Sequence, residues 1–262
     1  KKTWTKYYVI ASLSRINFMS STVVIIPTRL EAKRLPNKPL KIIREKEMIL
    51  HVHDIAIKSG AGDVLVVTPD EAINKLIKKN GGNSFISKDL HETGTDRVYE
   101  AFKKFYSSKP EIIINLQGDM PNLSPADITK LNDYLKNKKC DIGTLASNLE
   151  NQDEHQDTNV VKVITKKNIE NSDFSEALDF KRHVEDKEDR CIYHHIGIYG
   201  FTKEALIRYV SLKRSKIEIE RSLEQMRALE NKMKIDVGFA HSKPLSIDTE
   251  QDLLKIKKIM EN

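Results

Sequence analysis

The chain is poor in cysteine, with two in 262 residues, Cys140 and Cys191. Two such distant thiols make neither a disulfide framework nor a metal-ligand spacing. With no secretory signal pattern they read as reduced thiols, and the expected localisation is cytoplasmic. No apolar run approaches the length that spans a bilayer, so no membrane partner is expected. Neither G-x-x-x-x-G-K-[ST] nor G-x-G-x-x-G occurs, so a glycine loop is not the expected phosphate cradle. Nor is there a compact basic block with interleaved aromatics. The formal charge of +6 favours anionic partners, but nucleic acid is not the expected one. Internal repeats and low-complexity linkers are also missing, which makes one compact unit over residues 19–262 the expectation. Residues 1–18 carry lysines and a mildly apolar run that Ser12, Ser14 and Arg15 interrupt. No small-residue cleavage site follows, so they read as an upstream extension with Met19 as the natural start.

What is present is a soluble globular profile, 39% apolar and 31% charged. Short β-branched runs at residues 23–26, 63–69 and 111–117 alternate with helical spacing at 48–60, in "EAINKLIKKNGG" and in "VYEAFKKFY". That alternation predicts a parallel sheet with helices on both faces, a three-layer α/β/α class. From Cys140 the texture changes. Strand-like runs at residues 141–147, 160–165, 177–180 and 196–201 stand between charged loops, which predicts a mixed, more antiparallel insertion over about 140–200. "KIEIERSLEQMRALEN" reads as one helix, "KIDVGFA" as a strand and "DLLKIKKIM" as a final helix.

The stretch "VVIIPTRLEAKRLPNKPL" ends a buried strand at Pro27 and then places Arg29, Lys33, Arg34 and Lys38 within ten residues. Pro36 and Pro39 stiffen it and disfavour helix at Leu35 and Lys38. Clustered cations on a constrained loop suit a polyphosphate, with Arg29 and Arg34 as planar forks and Lys38 as a point charge. "NLQGDMP" puts Asp119 just past the carboxyl end of a core strand, where ligands of open parallel sheets gather. It suits Mg²⁺, which takes one or two carboxylates plus phosphate oxygens, or a turn after Gly118. In "SIDTEQDLL" two capping boxes are legal, Thr249 with Asp252 or Asp248 with Gln251. The first frees Asp248 to be a second metal carboxylate; the second makes it structural. "HETGTDR" suits contacts to a base or ribose, or a surface loop with Asp96 or Thr95 capping the next helix. In "YHHIGIYGF", strand alternation lets only one of His194 and His195 face a pocket. Glu224 and Gln225 read by default as helix-surface residues.

Together and in this order, "IIPTRLEAKRLPNKPL", "HETGTDR", "NLQGDMP", "NVVKVI", "ALDFKR", "HHIGIYGF", "SLEQMRALEN" and "IDTEQDL" resemble the 3-deoxy-D-manno-octulosonate cytidylyltransferases, the CMP-Kdo synthetases of Gram-negative bacteria. The resemblance implies a nucleotide-diphospho-sugar transferase fold, a homodimer and Mg²⁺. It also implies transfer of CMP from CTP to Kdo for lipopolysaccharide assembly. Carried onto this sequence, Thr28, Arg29, Arg34 and Lys38 would meet the CTP phosphates, and Thr93, Gly94, Asp96 and Arg97 the cytidine. Arg29, Lys38 and Asp119 would be catalytic, and Asp119 and Asp248 would hold the metal. Gln117, Arg182, His195, Glu224 and Gln225 would line the sugar-acid pocket, with Arg182 facing the Kdo carboxylate. The chain departs from the pattern at Asn37, where a glycine is common, and at Met120, where many members carry glutamate. Three rival readings are a cytidylyltransferase for another sugar acid such as sialate, a CTP-binding homologue with lapsed catalysis, and a basic nucleic-acid-binding protein.

Overall fold

Six successive residues of β1 (Thr22–Pro27) are buried, as a strand covered on both faces requires. The computed structural model describes residues 20–261 apart from 33, 89, 107–108, 138–139, 151, 172–173, 185–190 and 241. The expected extension at 1–18, Met19 and Lys33 therefore lie outside the described residues. After β1 the basic loop closes through a 3₁₀ turn at Lys38–Leu40 and a small hairpin, β2 (Ile42–Ile43) and β3 (Lys46–Glu47). Asn37 supplies the left-handed conformation (φ 56°) at which a glycine was the common alternative.

α1 (Met48–Ser59) stops at left-handed Gly60. Then follow β4 (Asp63–Thr68), α2 (Glu71–Lys79), β5 (Ser84–Ile86), α3 (Gly94–Phe105), β6 (Ile112–Leu116) and α4 (Pro125–Asn137). The second half contains β7 (Ile142–Ser147), α5 (Gln152–Gln156), β8 (Lys162–Thr165), β9 (Phe174–Lys181) and the long β10 (Cys191–Thr202). It ends in α6 (Lys203–Ser211), α7 (Lys216–Arg221), α8 (Gln225–Glu230), β11 (Ile235–Phe239) and α9 (Glu250–Glu261).

Nine strands form one sheet in the order β5-β4-β1-β6-β10-β7-β11-β9-β8. The half from β5 to β6 is parallel, and β10 enters antiparallel against both β6 and β7. Residues alternate between two cores, one on each face. Val23, Ile25, Leu65, Val67 and Ile113 belong to the first, and Val24, Ile26, Val64, Val66 and Ile114 to the second. The expected three layers with mixed strands are observed. One feature was not expected: β8 also pairs with the start of β10. β10, β7, β11, β9 and β8 thus close into a ring at the end of the sheet.

The single helix expected in "KIEIERSLEQMRALEN" is two helices, α7 and α8. Ser222 breaks them apart with φ 53°, and Leu223 is buried in the bend. Ser215 and Glu218 form a full capping box on α7. The Glu218 carboxylate then takes Arg227 from α8 in two bonds, at 2.8 and 2.7 Å.

Candidate active site

Pro27, at the carboxyl end of β1, opens a cleft of about 350 Å³. Parallel strands end there together, so loops from distant parts of the chain converge. Thr28, Arg29, Arg34 and Lys38 enter from the β1 loop, and Gln117, Gly118 and Asp119 from the β6 loop. Thr93, Gly94 and Arg97 enter from the start of α3, and Asp248 from the loop before α9. The loop after β1 is held open by backbone bonds. Thr28 N donates to Val67 O (3.0 Å), and Leu30 N to Asp70 Oδ2 (2.8 Å).

Asp119 and Asp248 meet at Lys38. Its Nζ lies 3.0 Å from Asp119 Oδ2 and 3.1 Å from Asp248 Oδ1. Burial opposes the charge on Lys38, but the two carboxylates outweigh it and hold its pKa above the ordinary lysine value. Asp248 is free for this because the first of the two legal capping boxes formed. Asp252 Oδ2 accepts from Thr249 N (2.9 Å), and Thr249 Oγ1 accepts from Asp252 N (3.2 Å). Arg34 Nη2 takes the second Asp248 oxygen at 3.0 Å, and its Nη1 donates to Asn159 Oδ1 at 3.0 Å.

Two carboxylate oxygens aimed at one cationic centre, in a cleft lined with arginines, are a donor set that fits a hard divalent ion shared with phosphate. Among the described residues no cluster of three or more metal-type side chains occurs, so further ligands would come from substrate and water.

Thr93 caps α3 by accepting from Asp96 N (3.2 Å), and its hydroxyl donates to Asp96 Oδ2 (2.7 Å). The cap is therefore Thr93, not Asp96 or Thr95. The Asp96 carboxylate is turned to that cap and does not line the cleft. The positive end of a twelve-residue helix faces the cavity instead. Arg97 is 8% exposed, and its Nε has no hydrogen-bond partner among the described residues. Burial first, then the charge of Arg29, lowers its pKa. Arg97 lines the cleft, so its guanidinium brings positive charge to a wall that suits an anion.

The sugar-acid set is divided. Gln117 lines the cleft, and its Nε2 donates to Asn115 Oδ1 (3.0 Å). Asn115 Nδ2 reaches Thr95 Oγ1 (3.3 Å), which donates to Glu224 Oε2 (2.8 Å). Glu224 and Gln225 are not surface residues. They line a second, small cavity with Thr95, Tyr199 and Tyr209, and burial raises the Glu224 pKa. His195 lines neither cavity. Its ring is inside the strand ring, edge-on to Phe180, and Nε2 is 2.9 Å from Thr144 Oγ1. The Thr144 hydroxyl donates to Ile198 O (2.7 Å), so His195 Nε2 carries the hydrogen and donates. Burial pushes the His195 pKa down to about 3. Alternation turns His194 outward instead, to a cavity shared with Glu150, Glu154 and Lys243. Arg182 is also outside the cleft. It donates to Arg221 O (2.9 Å), Thr158 O (2.9 Å) and Ser222 O (3.1 Å), which fastens β9 to the bend between α7 and α8.

The cytidylyltransferase profile matches residues 23–235. A 3-deoxy-manno-octulosonate cytidylyltransferase of Bartonella tribocorum is 39% identical over 239 residues, 91% of this chain and 98% of that protein. The Brucella canis protein of the same name is 38% identical over 88% of this chain and 92% of its own. A solved CMP:2-keto-3-deoxy-manno-octonic acid synthetase in complex with CTP superposes with a TM-score of 0.82. It is 30% identical and covers 92% of this chain and 99% of its own. The chain belongs to the 3-deoxy-manno-octulosonate cytidylyltransferase family.

Met120 stands next to Asp119, where the resemblance leads to an expectation of glutamate. Its side chain is 3% exposed and packed in the second core, and it does not line the cleft. Sequence reasoning assigned no role to Glu31, His91 and Glu92, which also line the cleft. All three lie inside the quoted motifs, so their position was a usable signal. Asn159 lies in "NVVKVI", but nothing local points from it to Arg34.

Proposed function

We infer that this protein transfers CMP from CTP to Kdo, giving CMP-Kdo and pyrophosphate, a step of lipopolysaccharide biosynthesis. One observation carries the reading. The phosphate, cytidine and metal residues named from sequence, Asp96 excepted, line one cleft at the carboxyl edge of the parallel strands. That cleft belongs to a chain similar over nearly its whole length to proteins of this name.

The anomeric hydroxyl of Kdo attacks the α-phosphorus of CTP, and the bond to pyrophosphate breaks as the new phosphorus–oxygen bond forms. Catalysis of this kind rests on positioning and on charge stabilisation. Arg29, Arg34, Lys38 and Arg97 bring four positive charges to the triphosphate, and the α3 N-terminus adds its amides. Gln117 lines the cleft and is linked through Asn115 and Thr95 to Glu224. The sugar acid is held at the Gln117 side of the cleft, with the small cavity of Glu224 and Gln225 as the wall behind it. Asp119 and Asp248 would hold Mg²⁺, which, when bound, neutralises charge on the phosphate oxygens. The same reading takes a homodimer as the assembly and the cytoplasm as the place. No described helix is long and apolar enough to cross a membrane.

The test is pyrophosphate release with Mg²⁺, crossing CTP and UTP against Kdo, sialic acid and no sugar. Release with CTP and Kdo alone is expected. Release with another pair would change the substrate, and CTP binding without release from any pair would mark a lapsed homologue.

A further inference from the structure

The two carboxylates read as the cation site already hold a cation of the protein's own. Lys38 Nζ is within 3.0 and 3.1 Å of them, and its side chain is only 15% exposed. The carboxylates do not depend on Lys38 for their approach. Ile247 N donates to Asp119 O (3.0 Å), which clips the Asp248 loop to the β6 loop. Asp248 N is held separately by Asp252 Oδ2 (3.2 Å). On the other side, left-handed Asn37 and buried Pro39 fix the backbone turn that carries Lys38. The backbone thus brings three charged groups to one point, and only the lysine side chain has the length and rotamer freedom to leave it.

We propose that Lys38 competes internally for the cation site: its ammonium fills the point between Asp119 and Asp248 until a polyphosphate arrives, so a divalent ion enters as Lys38 transfers to phosphate. The proposal rests on the reading of this cleft as a CTP and cation site. It gives Lys38 two partners in sequence, the carboxylates and then the triphosphate. The nucleotide-free protein consequently binds divalent ions weakly, and nucleotide and metal strengthen each other by one shared factor. Arg34 holds the other Asp248 oxygen in the nucleotide-free state.

The experiment is Mn²⁺ binding to the full chain without nucleotide, by electron paramagnetic resonance and calorimetry. Lys38→Met should bind one Mn²⁺ about ten- to a hundredfold more tightly than the unaltered protein, the worth of the charge-assisted bonds removed. Lys38→Gln repeats the test in case the methionine variant folds poorly. Arg29→Met removes an equal charge from the same cleft without touching either carboxylate, and it should leave Mn²⁺ affinity within about threefold. Equal affinities for Lys38→Met and the unaltered protein, both abolished by Asp119→Asn, would overturn the competition and leave the cation carboxylates standing. A gain in Arg29→Met as large as in Lys38→Met would also overturn it, because the effect would then be the general field of the cleft. Mn²⁺ binding that Asp119→Asn does not weaken would instead remove the carboxylate reading itself.

Discussion

Arg34, proposed as a phosphate ligand, is expected to matter for chemistry and hardly at all for stability. Its side chain is 54% exposed, and Asp248 opposite is 43% exposed. Exposed pairs of this kind contribute at most about 1 kcal/mol. Arg34→Ala should therefore melt close to the unaltered protein. Its pyrophosphate release should fall by about 10²–10³-fold, the scale on which preorganised charge acts in transition states. Retained turnover would move the phosphate site elsewhere. Met120 is the opposite case. Packed at 3% exposure in the core, it acts through volume, so Met120→Leu, which conserves volume, should leave turnover within about twofold and cost less than about 1.5 kcal/mol. A large loss of turnover in that variant would make the position chemical. Residue types and their order were legible because they are local facts. The partners of long side chains were not. Arg182 is expected from sequence to face a carboxylate, but three backbone carbonyls from two other segments take its donors. Nothing in "ALDFKR" encodes where those segments lie.

At the scale of elements, the start of α3 joins the two cavities. Gly94 and Thr93 face the cleft, whereas Thr95, one position on, reaches Glu224 behind it. Asn115, wholly buried in β6, completes the chain to Gln117. These four side chains hold each other's orientation, so losing a middle member loosens both ends. Thr95→Val keeps the shape of the side chain and removes the hydroxyl. It should raise KM for Kdo by about tenfold, roughly the worth of one buried hydrogen bond, with KM for CTP within about twofold. Parallel increases in both KM values would mean that the chain supports the whole site and not the acceptor side. Element boundaries that local chemistry sets were readable, such as Gly60 ending α1. The break at Ser222 was not, because helical spacing continues through it. The Glu218–Arg227 pair and the burial of Leu223 are tertiary rewards that override a locally acceptable helix.

For the whole molecule, the consequential feature is how many histidines the fold keeps neutral. His195 lies inside the ring of five strands, His53 is packed against the glycine turn at Gly82 and His194 stands at the next cavity; burial lowers the pKa of all three. The closing of that ring could not be read from alternation alone, since strand runs give faces but not which edge returns to which. The outcome has a thermodynamic sign. A histidine whose folded pKa lies below its unfolded value of about 6.5 binds a proton more readily when unfolded. Its contribution to stability is complete above pH 6.5 and is lost as pH falls toward the folded value, about 3 for His195. The slope from this residue approaches about 1.4 kcal/mol per pH unit below 6.5. Glu224, whose pKa burial raises, works in the opposite direction as it protonates. Glu100 and Glu218, held low, add to the loss only in the carboxylate range. Between pH 6.5 and 5.5 the histidines should therefore dominate, and urea unfolding should show stability falling as the solution is acidified. His195→Asn, which can still donate to Thr144, removes one titrating group, so its curve should be shallower by about one proton's slope over that interval. An unchanged slope would mean that His195 is accessible to protons in the folded protein, contrary to its place inside the strand ring.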